Sequence, residues 1–222
     1  MASNTGNTLR QFYEALYRAY GPQGWWPGNT RTEIVVGAIL TQNTNWKNVE
    51  KAIARLRSEG LLDWAALRDV PMERLAECIR PAGYYNIKAR RLKQFVTWLW
   101  EEHGGDFDAL AAVNPMALRE ELLGISGIGP ETADSILLYG LDIPTFVVDT
   151  YTARVTGRHL LIDDTAGYEE IKALFEDHLA PDARLFNEYH ALLVAVGKRH
   201  CRPRADCAGC PLGPFEHDAS AR

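Results

Sequence analysis

The sequence predicts an all-α protein. Apolar residues recur at helical spacing along nearly the whole chain, no region reads as strand-rich, and Gly, Pro and Asn clusters separate the periodic runs. With 222 residues, 46% of them hydrophobic, the chain suffices for one large domain or two small ones with real cores.

Thr8 to Tyr20 sets Leu9, Phe12, Leu16 and Ala19 at helical spacing and predicts a helix. Gly21 to Gly28 is a loop by its breakers and carries Trp25, Trp26 and Pro27. The paired tryptophans either plug a core or, stiffened by Pro27, offer flat faces to an extruded base. Thr30 and Glu33 form a capping-box pattern before Glu33 to Leu40, an almost wholly apolar and therefore buried helix. Polar Thr41 to Thr44 comes next, facing a cleft or solvent.

Trp46 to Ser58 is a helix with the stripe Val49, Ile53 and Leu56. Asp63 to Val70 and Pro71 to Ile79 are short helices, and Cys78 falls in an apolar register as a buried thiol. Pro81 to Asn86 is a loop before a long helix, Ile87 to Glu102, with Leu92, Phe95, Val96 and Leu99 inward. The start of that helix carries Lys88, Arg90, Arg91 and Lys93. Such a run is a solvated face or, beside Tyr84 and Tyr85, a surface for unstacked nucleic acid.

Pro115 to Leu123 is a helix capped by Asn114, and another runs from Glu131 to Tyr139. Between them stand Gly124, Gly127 and Gly129, whose freedom at positive φ lets backbone approach a ligand closely. Pro130 fits a first helical position, and amides at a helix start suit an anion. Helix, GxxGxG turn, helix is a helix-hairpin-helix, which grips nucleic-acid backbone; the bland alternative is a tight turn. A dinucleotide site is disfavoured, because no β-branched strand precedes the glycines. Asp149 ends a short apolar segment and precedes a helix, where aspartate is a preferred cap. Thr150 to Leu161, Tyr168 to Leu179 and Ala183 to His200 complete the helical set.

LLGISGIGPETADSILL followed by VVDTY resembles the helix-hairpin-helix and Gly/Pro–Asp core of the endonuclease III superfamily of DNA glycosylases. Matches run from about Thr30 to Cys210. Within the superfamily, AILTQNTNWKNVEKAI, LAECIRPAGYYNIKARRL and the early WWP are most similar to the 3-methyladenine glycosylase branch. The resemblance implies two helical domains flanking an active-site cleft. One is a six-helix barrel over residues 29–142 that contains the hairpin, at about 115–140. The other joins 1–28 to 143–222 and ends in a cysteine loop at 201–217.

It further implies that Asp149 is the carboxylate that stabilises an oxocarbenium-like sugar or activates water. Trp25, Trp26, Pro27 and Trp46 would contribute to the base pocket, although Trp46 could equally be helix packing. Lys198 would shape the pocket or touch a phosphate. Asn43 or its neighbour Gln42 would fill the gap left by the flipped base, and Tyr84 would wedge into the duplex. Lys88, Gly124, Gly127, Gly129 and Thr132 complete the expected DNA contacts. Relatives that also cut the backbone carry a lysine two residues after the last turn glycine; here that residue is Glu131. The expected activity is therefore a monofunctional one on an alkylated purine such as 3-methyladenine. An oxidised pyrimidine or mismatched uracil or thymine is the first alternative, and a non-catalytic DNA-structure binder the second.

Cys201, Cys207 and Cys210 resemble the superfamily's iron–sulfur loop with its fourth cysteine missing. Glu216 stands near the vacant place and His217 one beyond. A 4Fe–4S cluster with His217 or another fourth ligand, a Cys3His zinc site, or a decayed loop with free thiols all fit. The net charge of −5 argues against a general polyanion binder, so double-stranded DNA holding a damaged base must meet a local basic surface. With no apolar run of the ~20 residues that span a bilayer and no signal peptide, the expectation is a cytoplasmic monomer, nucleoid-associated if prokaryotic.

Overall fold

The computed structural model describes residues 2–220, with side chains from residue 4, and no strand occurs among them. The chain forms two compact units. Trp26–Ile143 makes one, and the flanking segments, up to Trp25 and from Pro144, make the other.

The Trp26–Ile143 unit contains the helices α2 (Arg31–Leu40), α3 (Trp46–Ser58), α4 (Trp64–Asp69), α5 (Met72–Cys78), α6 (Tyr85–His103), α7 (Pro115–Gly124) and α8 (Pro130–Ser135). Side chains cap four of them. Thr30, Asn45, Asp63 and Asn114 each accept a backbone N–H of the following helix. The capping box at α2 is altered: Glu33 reaches back to the Asn29 N–H at 2.8 Å, one residue before the cap. Glu33 is buried, and Arg57 satisfies its other oxygen at 2.6 Å. The core is the inner face of α6 (Leu92, Phe95, Val96, Leu99) against Val35, Val36 and Ile39 of α2. Cys78 lies in that core, as its register required.

Helix α8 is shorter than expected. Its ladder shifts after Ser135 into a π-helical turn, Ile136–Gly140. Arg119 of α7 holds both carboxylate oxygens of Asp134 in α8, at 2.8 and 3.1 Å. Asp134 is wholly buried, so this bidentate pair fixes the two hairpin helices against each other.

The second unit is built from α1 (Ala2–Tyr20), α9 (Thr150–Arg158), α10 (Tyr168–Glu176) and α11 (Ala183–Arg199), with an irregular tail after α11. Phe146 stacks on Phe175 with ring centroids 3.8 Å apart, and Phe186 and Tyr189 meet Phe146 edge-on. The buried Tyr189 hydroxyl donates to Leu9 O of α1 at 2.8 Å. Gly197 lets α11 approach α9: a Cβ there would lie 2.4 Å from the Tyr151 ring. No described helix is long and apolar enough to cross a membrane.

The ion pair between α7 and α8 yields a stability prediction. Arg119→Ala withdraws the cation facing a buried carboxylate and should cost on the order of 3 kcal/mol. The urea midpoint of the intact protein would then fall clearly; an unchanged midpoint would show that the pair contributes nothing.

Candidate active site

The hairpin turn comes directly after α7. Gly127 stands at φ +90°, a conformation that favours glycine, and a Cβ there would fall 2.5 Å from Cγ of Arg91. Gly129 is extended and caps α8, with Pro130 at the first helical position. Gly124 is exposed, and a Cβ on it would meet nothing within 4 Å. Thr132, an expected DNA contact, is buried, and its hydroxyl accepts from Gln42 Nε2 at 2.9 Å.

Gln42 also donates to Gly127 O at 3.1 Å, and Arg91 donates to its Oε1. Its amide is thus committed to the hairpin turn and does not project from the protein. Asn43, one residue on, is exposed and left-handed, with φ 52°. Tyr84 is likewise left-handed at φ 46° and 69% exposed. Of the two expected gap-fillers, Asn43 is the exposed one.

The basic run on α6 reads differently in three dimensions. Lys88 is 1% exposed, and its Nζ donates to Leu40 O and Ala82 O, both at 2.8 Å, so it is removed from the surface contacts. Burial holds its ammonium down to about 8, with Arg91 adding to the effect. Lys93 donates to Leu67 O, Arg68 O and Val70 O around the end of α4. Arg90 alone of the four is exposed.

Within the second unit, Asp149 caps α9: Oδ1 accepts the Thr152 N–H at 2.8 Å. Its side chain keeps 15% of its surface exposed, so the carboxylate is not sealed in a core. Oδ2 lies 3.7 Å from Nε2 of His190 on α11. His190 is buried, and burial holds its pKa below the usual imidazole range; Asp149 opposes that shift and Lys198 reinforces it. A neutral imidazole at neutral pH leaves the carboxylate's charge uncompensated by His190. Nothing in the sequence singled out His190. Its only signal was a histidine on the otherwise apolar face of a helix beside Phe186 and Tyr189.

The tryptophans divide. Trp25 lies with its ring centroid 6.3 Å from that of His190, and Lys198 Nζ is 6.0 Å from the Trp25 centroid. These groups belong with Asp149 in one unit. Trp26 packs at 5.2 Å edge-on against Trp46 and at 5.1 Å against Tyr139, in the other unit. Pro27 between loop and helix is exposed.

The cysteine loop does not assemble the expected ligand set. Cys201, Cys207, Cys210 and His217 line one cavity of about 20 Å³ together with Arg158, His159 and His200. Among the described residues, however, no three Cys, His, Asp or Glu side chains converge as a metal-binding group. His217 Nδ1 is engaged by Phe215 O at 2.8 Å, and Glu216 is exposed. Side chains of this chain hold the loop. Arg158 donates to Arg202 O, Pro203 O and, at 3.4 Å, Cys201 Sγ, while Arg154 donates to Cys201 O. Burial pushes the Cys210 thiol up, and its neighbours Cys207 and Cys201 add to that. The donors as placed do not fit a cluster or a tetrahedral zinc.

The turn geometry separates two glycines that look alike in sequence. Gly127→Ala should lower stability by roughly 1–3 kcal/mol through backbone strain and the clash with Arg91. Gly124→Ala should leave the melting temperature nearly unchanged. Equal effects of the two substitutions would contradict the turn geometry.

The family described as "HhH-GPD superfamily base excision DNA repair protein" matches residues 36–181. A protein of Methanocaldococcus jannaschii named "Putative DNA repair glycosylase MJ1434" is 48% identical over 97% of this chain and 98% of its own length. The crystal structure of the H. pylori 3-methyladenine DNA glycosylase MagIII, bound to 1,N6-ethenoadenine, is 28% identical with a TM-score of 0.72, covering 88% of this chain and 97% of that one. A trapped endonuclease III–DNA covalent intermediate shares the fold, with a TM-score of 0.79 at 22% identity over 93% of both chains. The family match across the hairpin and the Gly/Pro–Asp segment, with a relative nearly half identical over almost the full length, identifies this chain as a member of the HhH-GPD superfamily of base excision DNA repair proteins.

Proposed function

We propose that this protein is a monofunctional DNA glycosylase that hydrolyses the N-glycosidic bond of a damaged base flipped out of double-stranded DNA. The observation that carries the reading is Asp149: an incompletely buried carboxylate fixed at a helix N-terminus, inside the segment that the superfamily match covers. In the reaction, water adds to C1′ of the sugar, the C1′–N bond breaks, and its electron pair leaves with the base. Positive charge builds on the sugar in between. A carboxylate oriented by the Thr152 N–H stabilises that charge or takes a proton from the attacking water.

The proposed substrate is an alkylated purine such as 3-methyladenine. Its positive ring is already a good leaving group, so little acid catalysis is needed, and tryptophan faces suit a flat cationic base. The H. pylori relative, whose name specifies 3-methyladenine, supports this choice. Absence of backbone cleavage is proposed from Glu131: its carboxylate forms no imine with the abasic sugar, a step that needs an amine.

A panel of duplexes, each with one lesion, tests these points together. The wild type should release 3-methyladenine in preference to oxidised pyrimidines and mismatched thymine or uracil. Asp149→Asn should lower single-turnover excision by at least about a hundredfold, in the range of losing one preorganised electrostatic group, while DNA binding persists. Borohydride should trap no protein–DNA adduct. Excision undiminished in Asp149→Asn removes the assigned role, no release from any lesion favours a non-catalytic binder, and a trapped adduct establishes lyase activity.

A further inference from the structure

Lys88 is a full-length lysine sealed inside the Trp26–Ile143 unit, and the chemistry assigned to Asp149 makes no use of it. Burying an ammonium is expensive unless its donors are satisfied. The two carbonyls that satisfy Lys88 are Leu40 O, at the last residue of α2, and Ala82 O, in the short turn before α6. A cation is favoured at the carbonyl end of a helix, so the choice of Leu40 has a local electrostatic reason.

Each carbonyl lies just upstream of an unusual loop position. Three residues after Leu40 comes Asn43, and two residues after Ala82 comes Tyr84; both are exposed, and both are non-glycine residues in the left-handed region. Such a conformation costs about 1 kcal/mol or more and persists only where the surroundings impose it. Gly83, also at positive φ, adds to the turn before Tyr84. Lys88 thus bonds the backbone just ahead of two strained, outward-facing side chains, through carbonyls 48 and 6 residues away in sequence. One turn further along α6, Arg91 holds Gln42, and Gln42 holds the hairpin turn at Gly127 O. The loop carrying Asn43 is therefore tied on both sides.

We propose that Lys88 is a positioning residue that sets the separation of Asn43 and Tyr84, so that both side chains can enter a duplex together when a base is extruded. Lys88 touches neither DNA nor the reacting atoms; it acts through the two loops. The inference rests on the glycosylase reading, because that reading gives Asn43 and Tyr84 a duplex to enter.

The test uses the full chain and a duplex containing a tetrahydrofuran abasic analogue beside 2-aminopurine, whose fluorescence reports unstacking. Lys88→Met removes the ammonium and keeps the apolar stem. The expected result is a loss of about tenfold in affinity for the abasic duplex relative to intact duplex, with the fluorescence rise reduced. Lys88→Arg should recover part of both. A purely structural role is separated by a cycle with Asn43→Ala and Tyr84→Ala. In that doubly substituted background, Lys88→Met should add little further loss of abasic-site discrimination, whereas general destabilisation would add in full. If Lys88→Met does not fold, Lys88→Gln, whose amide still donates, takes its place in the same cycle. Wild-type protein that prefers the abasic duplex, with a Lys88 variant that matches it or is fully additive, overturns the proposal and spares the glycosylase reading. Wild-type protein that neither prefers nor unstacks the abasic duplex overturns both.

Discussion

A carboxylate that caps a helix has one oxygen already engaged, and this division of labour fixes the candidate site. Asp149 gives Oδ1 to the Thr152 N–H, so its side chain has little freedom to turn away. Oδ2 is left on the side of His190, whose burial keeps the imidazole neutral. The cap therefore also fixes the orientation of the carboxylate. Capping and catalysis are compatible readings of this residue, because the cap engages Oδ1 alone.

The acidic chain manages its cations sparingly. Three of the four basic residues at the start of α6 are engaged inside the protein: Lys88 with two carbonyls, Lys93 with three, Arg91 with Gln42. Their energetic role is to satisfy carbonyls at the ends of α2 and α4 and to join loops that lie far apart in sequence. Arg158 and Arg154 do the same for the cysteine loop, which keeps its shape through guanidinium–carbonyl bonds. Of the four basic residues at the start of α6, Arg90 alone is left exposed at the surface.

Local signals made the helices legible. Trp46–Ser58 formed with the expected limits, and Asn114 and Pro115 placed the start of α7. The hairpin turn was legible because three glycines and a proline leave few alternatives. What sequence could not convey was the partner of each side chain. A charge run looks solvated until distant carbonyls such as Leu40 O are known. Gln42 looks like its neighbour Asn43 until the turn at Gly127 receives its amide. Adjacent Trp25 and Trp26 give no sign that their rings join different clusters. The π-helical turn after Ser135 has no signature of its own, and His190 looked like an ordinary member of an apolar face. For the cysteines, spacing suggested a ligand set, but spacing does not specify convergence.

The role assigned to Asp149 requires its carboxylate to meet the sugar of an extruded nucleotide. A crystal structure of the wild-type protein on a duplex carrying a pyrrolidine abasic mimic, whose ring nitrogen is cationic like the developing sugar charge, measures this directly. Asp149 Oδ2 should then lie within about 3–4 Å of that cationic centre, the range of a direct charge contact. A mimic bound with its sugar ring remote from Asp149, or left stacked within the helix, would contradict that role.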